Sequence, residues 1–164
     1  MAHTLQKYKL YLLVFSFCVL RGTASYAEDS NILTLATGSE KGVYYAIGQG
    51  ISDVAKRSNI KINVISSRGS VENLSWLSQG KIQLCMAQSD TVYNAYNGLG
   101  LFKEKISNIR AIASLYTEAV HILIRNPLLI KKIGDFKGKR ISIGPEGSGT
   151  ESNATAILEA AGIT

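Results

Sequence analysis

Apolar positions along the chain switch between the short, continuous runs of strands and the three-to-four spacing of helices. Ile32 to Thr37 is an apolar run of strand length, followed by a polar, glycine-marked loop, Gly38-Ser39-Glu40-Lys41-Gly42. Val43, Ile47, Ile51, Val54 and Ala55 then fall on one helical face. The pattern recurs with a strand at about Lys61 to Ser67, a loop at Arg68-Gly69, and a helix from Ser70 that turns Val71, Leu74 and Leu77 inward and ends at Gln79-Gly80. A third strand, Ile82 to Gln88, runs through Ser89-Asp90 into a helix carrying Val92, Ala95 and Tyr96, for which Asn97-Gly98 is the stop signal.

The rhythm then changes. Ile109 to Tyr116 and Ala119 to Arg125 are apolar runs separated only by Thr117-Glu118, which leaves no room for a helix. The second run is read as a crossover strand, so residues 28–118 are expected to form a first α/β lobe and residues 119–164 the crossover and an incomplete second lobe. Ile133 to Lys139 reads as a polar turn and Ile141 to Ile143 as a strand. That strand feeds Gly144-Pro145-Glu146-Gly147-Ser148-Gly149-Thr150, a glycine-rich loop opening a last helix with Ala154, Ile157, Leu158 and Ala161 on one face and Gly162 at its end.

Strands alternating with helices across short loops predict a parallel sheet covered on both faces. In such sheets ligands bind beyond the carboxyl ends of the strands. Every such end here is polar and glycine-marked: Thr37-Gly38-Ser39, Ser67-Arg68-Gly69-Ser70, Gln88-Ser89-Asp90 and Gly144 to Thr150. Four loops on one rim make ligand binding the leading functional expectation.

The last loop is the most specific of the four, because the first N–H groups of a helix lack internal partners and favour an anion. It is not a Walker loop, since Gly149 is followed by Thr150 and Glu151 where lysine and a hydroxyl residue are required. Nor is it a hydrolase elbow, since the five residues centred on Ser148 begin with Glu146 and end with Thr150. Ser148 and Glu151 do have the spacing of a capping box, which would account for those two residues without a ligand but not for three glycines.

Composition narrows the function further. Lys7 and Lys9 precede an apolar run, Leu10 to Leu20, of about eleven residues against the roughly twenty that span a bilayer. Ser25-Tyr26-Ala27 offers small residues where a signal peptidase reads, so residues 1–27 are expected to be an export signal cleaved after Ala27, and the product to be periplasmic. Cys18 follows Phe17 and is expected to be an apolar member of that leader. Without Lys7, Lys9 and Arg21 the chain has 15 basic and 12 acidic residues, a net charge of +3, and no basic run marks a nucleic-acid surface. Nucleic acid is excluded as a partner. Cys85 lies in the apolar stretch Ile82 to Ala87 and is expected to be a buried, inert thiol. The sole histidine after the leader, His121, sits amid an apolar run and is expected to be packed there, so neither a catalytic base nor a zinc site is expected. No cofactor and no catalysis are expected. What the rim does carry is hydroxyls, amides and aromatics: Ser39, Tyr44, Tyr45, Ser70, Asn73, Gln88, Ser148 and Thr150, with Arg68 able to pair with a carboxylate.

Ser39 to Tyr45 (SEKGVYY), Gly69 to Leu74 (GSVENL), Gln88-Ser89-Asp90, Ser114-Leu115-Tyr116, and Asp135 to Gly138 leading to Gly147-Ser148-Gly149-Thr150 give the chain a resemblance to the TAXI family of TRAP-transporter solute receptors. The similarity runs from about Leu33 to Thr164. It implies a periplasmic-binding-protein fold, type II-like, in which two α/β lobes close on a small solute and deliver it to membrane transporter subunits. Glutamate-like and dicarboxylate solutes are implied. Carried over by motif, the pocket positions are Ser39, Gly42, Tyr44, Ser70, Asn73, Gln88, Asp90, Ser148, Gly149 and Thr150. Arg68 stands where the family commonly has glycine, and Glu146 places a carboxylate just before the anion-favouring glycines, which works against an anionic solute unless it points away. The family also continues past the helix ending at Gly162, so the resemblance implies a first lobe with the beginning of a truncated second. Two rival readings stand beside it: a remnant acting as a surface antigen or interaction protein, and an enzyme using the glycine loop for phosphate.

Overall fold

The computed structural model describes residues 32–163; the export signal expected over residues 1–27 lies outside them. The elements follow the order β1 (Ile32–Ala36), α1 (Val43–Lys56), β2 (Lys61–Ile65), α2 (Ser70–Ser78), β3 (Leu84–Cys85), α3 (Ser89–Asn97), a 3-10 turn (Ile133–Phe136) and α4 (Gly149–Ala160). The strands are parallel in the order β2-β1-β3. Leu35 pairs with Val64 on one side and Leu84 on the other, and Ala36 with Ile65 and Cys85. Among the described residues no helix is long and apolar enough to cross a membrane.

Side chains alternate across a strand, so neighbours in register share a face. Leu35 and Val64 meet α1, and they meet it closely. A Cβ built on Gly48 would lie 2.7 Å from Thr37 Cγ2 and 3.1 Å from Val64 Cγ1, and Ser52 one turn on donates its hydroxyl to the Ile62 carbonyl at 2.8 Å. The helix therefore seats on its small residues. This corrects part of the predicted inward stripe: Ile47, Ile51 and Ala55 are half-buried, but Val43 and Val54 are 61% and 60% exposed while Gly48 and Ser52 are buried. A stripe of large residues would have held the helix off the sheet.

The opposite face carries the main apolar cluster: Leu74, Ala95 and Ile109, with Leu77, Cys85, Val92 and Phe102 packed against them. Here the expectations for Leu74, Leu77, Val92 and Ala95 hold, whereas Tyr96 points outward. Cys85 is a free thiol whose pKa burial pushes up to about 11, so it stays protonated at neutral pH.

Three expectations fail beyond α3: the crossover strand over Ala119 to Arg125 does not form, nor does the strand at Ile141 to Ile143, and His121 is not packed. A strand is defined by a ladder, and these segments have no neighbour among the described residues to take their N–H and C=O groups. Between Ile109 and Arg125 only Ile109 is buried; Ile112 is 85% and Leu123 92% exposed, and His121 faces out.

Candidate functional site

The strand order puts the reversal of the sheet between β1 and β3, the position at which a ligand crevice is expected in an open parallel sheet. Asn73 of α2 sits at its floor. Its Nδ2 donates to the Thr37 carbonyl at 2.6 Å and the Met86 carbonyl at 2.8 Å, joining the ends of the two strands, and its side chain is fully buried. Expected as a pocket residue, Asn73 is thus first a clamp. Its Oδ1 accepts from no group among the described residues.

Four helices begin around this crevice. Ser70 opens α2 and is buried; its Oγ accepts the Gln88 N–H at 3.0 Å, tying α2 to the start of α3. Gly149 opens α4 so close to both that a Cβ on it would fall on Gln88 Oε1 and lie 2.9 Å from Ser70 Oγ. Gln88 Oε1, shut in by this contact, has no hydrogen-bond partner among the described residues. Tyr44, near the start of α1, shares its hydroxyl's surroundings with Ser70. Backbone joins the loops as well, because the Gly147 carbonyl accepts the Glu72 N–H at 3.0 Å and Ser148 Cα packs 3.4 Å from the Cβ position of Gly69. The first loop joins the second where the Gly38 carbonyl accepts the Ser67 N–H at 3.1 Å, so the four predicted loops do converge.

The glycine loop spends part of its predicted donor capacity on itself. Ser148 Oγ accepts the Glu151 N–H at 3.1 Å as an N-cap, while Glu151 Oε2 accepts the Gly147 N–H at 2.7 Å, one residue further out than in a standard capping box. The Ser148 N–H goes to the Pro145 carbonyl at 3.1 Å. The N–H groups of Gly149 and Thr150, the first two of α4, are left over by position in the helix. Arg68, expected as a possible carboxylate partner, is also engaged: its Nε and one terminal nitrogen reach Glu72 Oε1 at 2.9 and 2.8 Å, and its other terminal nitrogen is 3.9 Å from Glu146. Glu146 thus faces a guanidinium.

Other predicted positions serve local geometry. Ser39 is exposed, with Oγ accepting the Lys41 N–H at 3.3 Å, and its carbonyl accepts the Gly42 N–H at 2.8 Å to start α1. Asp90 is exposed and turns its Oδ1 to the Thr91 N–H at 2.6 Å. Thr150 is exposed and packs its methyl over Gly144, whose φ of 96° and near contacts admit only glycine. The geometry adds two residues not among those predicted for the pocket. Glu118 accepts the Tyr44 hydroxyl at 2.9 Å through Oε2 and the Tyr116 hydroxyl at 3.3 Å through Oε1, and the two rings meet edge to face with centroids 6.4 Å apart. Burial first, then Glu118, raises the Tyr44 pKa well above the usual tyrosine range, so the phenol remains a donor. Tyr116 lay in the quoted Ser114-Leu115-Tyr116 motif, and Glu118 two residues beyond it was the available signal.

An open groove of about 450 Å³ lies along α3, lined by Val92, Tyr93, Tyr96, Asn97, Ile109 and Arg110. It holds one guanidinium, and a single helix start, Ser89 of α3, reaches it. The crevice at the strand ends, with its unpaired amide oxygens and free helix N–H groups, is the better-equipped site despite being filled by the Gly149 contact. Residues 35–164 match the model of the NMT1-like family, which belongs to the periplasmic-binding-protein-like solute receptors, and the chain is a member of that family.

Proposed function

We propose that this solute receptor works outside the cytoplasm, capturing a small polar carboxylate, glutamate-like or dicarboxylate, for the membrane subunits of a TRAP-type transporter. In this reading residues 1–27 are removed after export to the periplasm, and residues 28–118 and 119–164 contribute to separate lobes that surround the solute. The observation that carries it is the meeting of Tyr44, Ser70, Gln88 and Gly149, each at or beside the start of a different helix, over the crevice between β1 and β3. Helix starts supply N–H groups and positive potential to a carboxylate. The family is one of binding proteins, and no step of catalysis is assigned to these residues. The phosphate-loop alternative is disfavoured by Glu151, whose carboxylate already occupies the Gly147 N–H where a phosphate oxygen would sit.

Isothermal titration of the full chain with glutamate, glutarate and succinate is expected to show saturable binding of at least one. Ser148→Ala, which strips the cap that holds the Gly149 and Thr150 N–H groups in place, should weaken that binding by roughly 1–3 kcal/mol. Absence of heat with all three carboxylates would overturn the reading.

A further inference from the structure

A surface carboxylate ordinarily turns freely in water or pairs with a cation. Glu118 does neither. Each of its oxygens accepts one phenol hydroxyl, from Tyr44 at 2.9 Å and Tyr116 at 3.3 Å, and among the described residues no lysine or arginine lies within ion-pair distance. Two neutral donors orient the carboxylate without cancelling its charge, and each oxygen keeps a lone pair for a further donor. The rings that hold it stand at 78° to each other and form a corner whose electron-rich faces also favour a cation.

Tyr44, which holds Glu118, also stands beside Ser70, whose Oγ accepts the Gln88 N–H, so the carboxylate lies one tyrosine away from the helix starts of the proposed solute site. A solute with carboxylates alone brings Glu118 no donor and sets a like charge beside it.

We infer that Glu118, fixed by the hydroxyls of Tyr44 and Tyr116, is the subsite for the ammonium group of the solute, which makes the receptor selective for an amino acid over the corresponding dicarboxylate. The inference rests on the proposed solute site at the strand ends and specifies what that site selects. Glu118 is exposed and outside regular structure, so replacing it leaves the apolar cluster untouched.

The test is titration calorimetry of the full chain with glutamate, glutarate and propylamine, which present an ammonium with carboxylates, carboxylates alone and a primary ammonium alone. Glutamate is expected to bind at least tenfold more tightly than glutarate. Glu118→Gln should lower glutamate affinity roughly 10- to 100-fold, the range of a hydrogen bond to a charged group, and leave glutarate unchanged or tighter. Equal affinity for glutamate and glutarate, or a preference that survives Glu118→Gln, overturns the ammonium subsite while leaving a carboxylate receptor standing. Propylamine binding that depends on Glu118, with neither carboxylate compound bound, would keep the subsite and retire the carboxylate reading. No binding of either ammonium compound overturns the inference outright.

Discussion

Gly149 shows how one residue can carry a local signal in the sequence and a separate long-range constraint in the fold. Its place in a glycine-rich helix start marked it as a donor of N–H groups, but its missing side chain is required by packing, because a Cβ there would fall on Gln88 Oε1. Such a contact joins residues far apart in the chain and leaves no trace in local pattern. Gly149→Ala is expected to lower stability by about 1–3 kcal/mol, the usual cost of overpacking, whereas Gly134→Ala, facing open space, should stay within about 0.5 kcal/mol. Thermal melts of the two variants check this, and equal melting temperatures would mean that the α4 start yields without cost. Tyr44 likewise was named as a site residue, though its partner Glu118 was not, since the bond spans the fold. Because Tyr44 holds its proton more tightly when folded than when unfolded, its contribution to stability is complete below the ordinary tyrosine pKa of 10.0 and is lost as pH rises towards the higher folded value. Urea unfolding should therefore show stability falling above about pH 10, with a shallower fall for Tyr44→Phe; parallel profiles would refute the assignment.

At the scale of elements, legibility followed the range of the forces involved. All four helices stood where capping residues, glycine stops and periodicity placed them, since those signals act within a turn or two. The centre of the inward face of α1 was missed because it depends on how near the sheet lies, which Gly48 and Ser52 decide. Strands were overcalled for a related reason: an apolar, β-branched run such as Val120 to Ile124 has the composition of a strand but needs a neighbour to become one. Its peptide groups are accordingly expected to exchange with solvent quickly. Hydrogen exchange should find lasting protection over Leu35, Ala36 and Leu74 and rapid labelling across residues 111–125. Slow exchange through that segment in a monomer would show that it does find a ladder partner in solution.

For the whole molecule, the alternation of patterns was enough to give a parallel sheet covered on both sides, and the two-faced packing of Leu35 against α1 and Cys85 against the α2–α3 cluster bears it out. The strand order was not legible, because it depends on which way each crossover turns, and the clamp by Asn73 could not be deduced without it. That order also sets a timetable for synthesis. Of the described strands the central one is made first: Ala36 needs Ile65 on one edge and Cys85 on the other, both encoded later. A chain leaving the ribosome therefore exposes the middle of this sheet before either flank exists, and the sheet cannot be started until Ile65 has emerged. Nothing is gained by folding early, and whatever must happen to the nascent chain while it is still unfolded has the whole interval from β1 to β2 in which to happen.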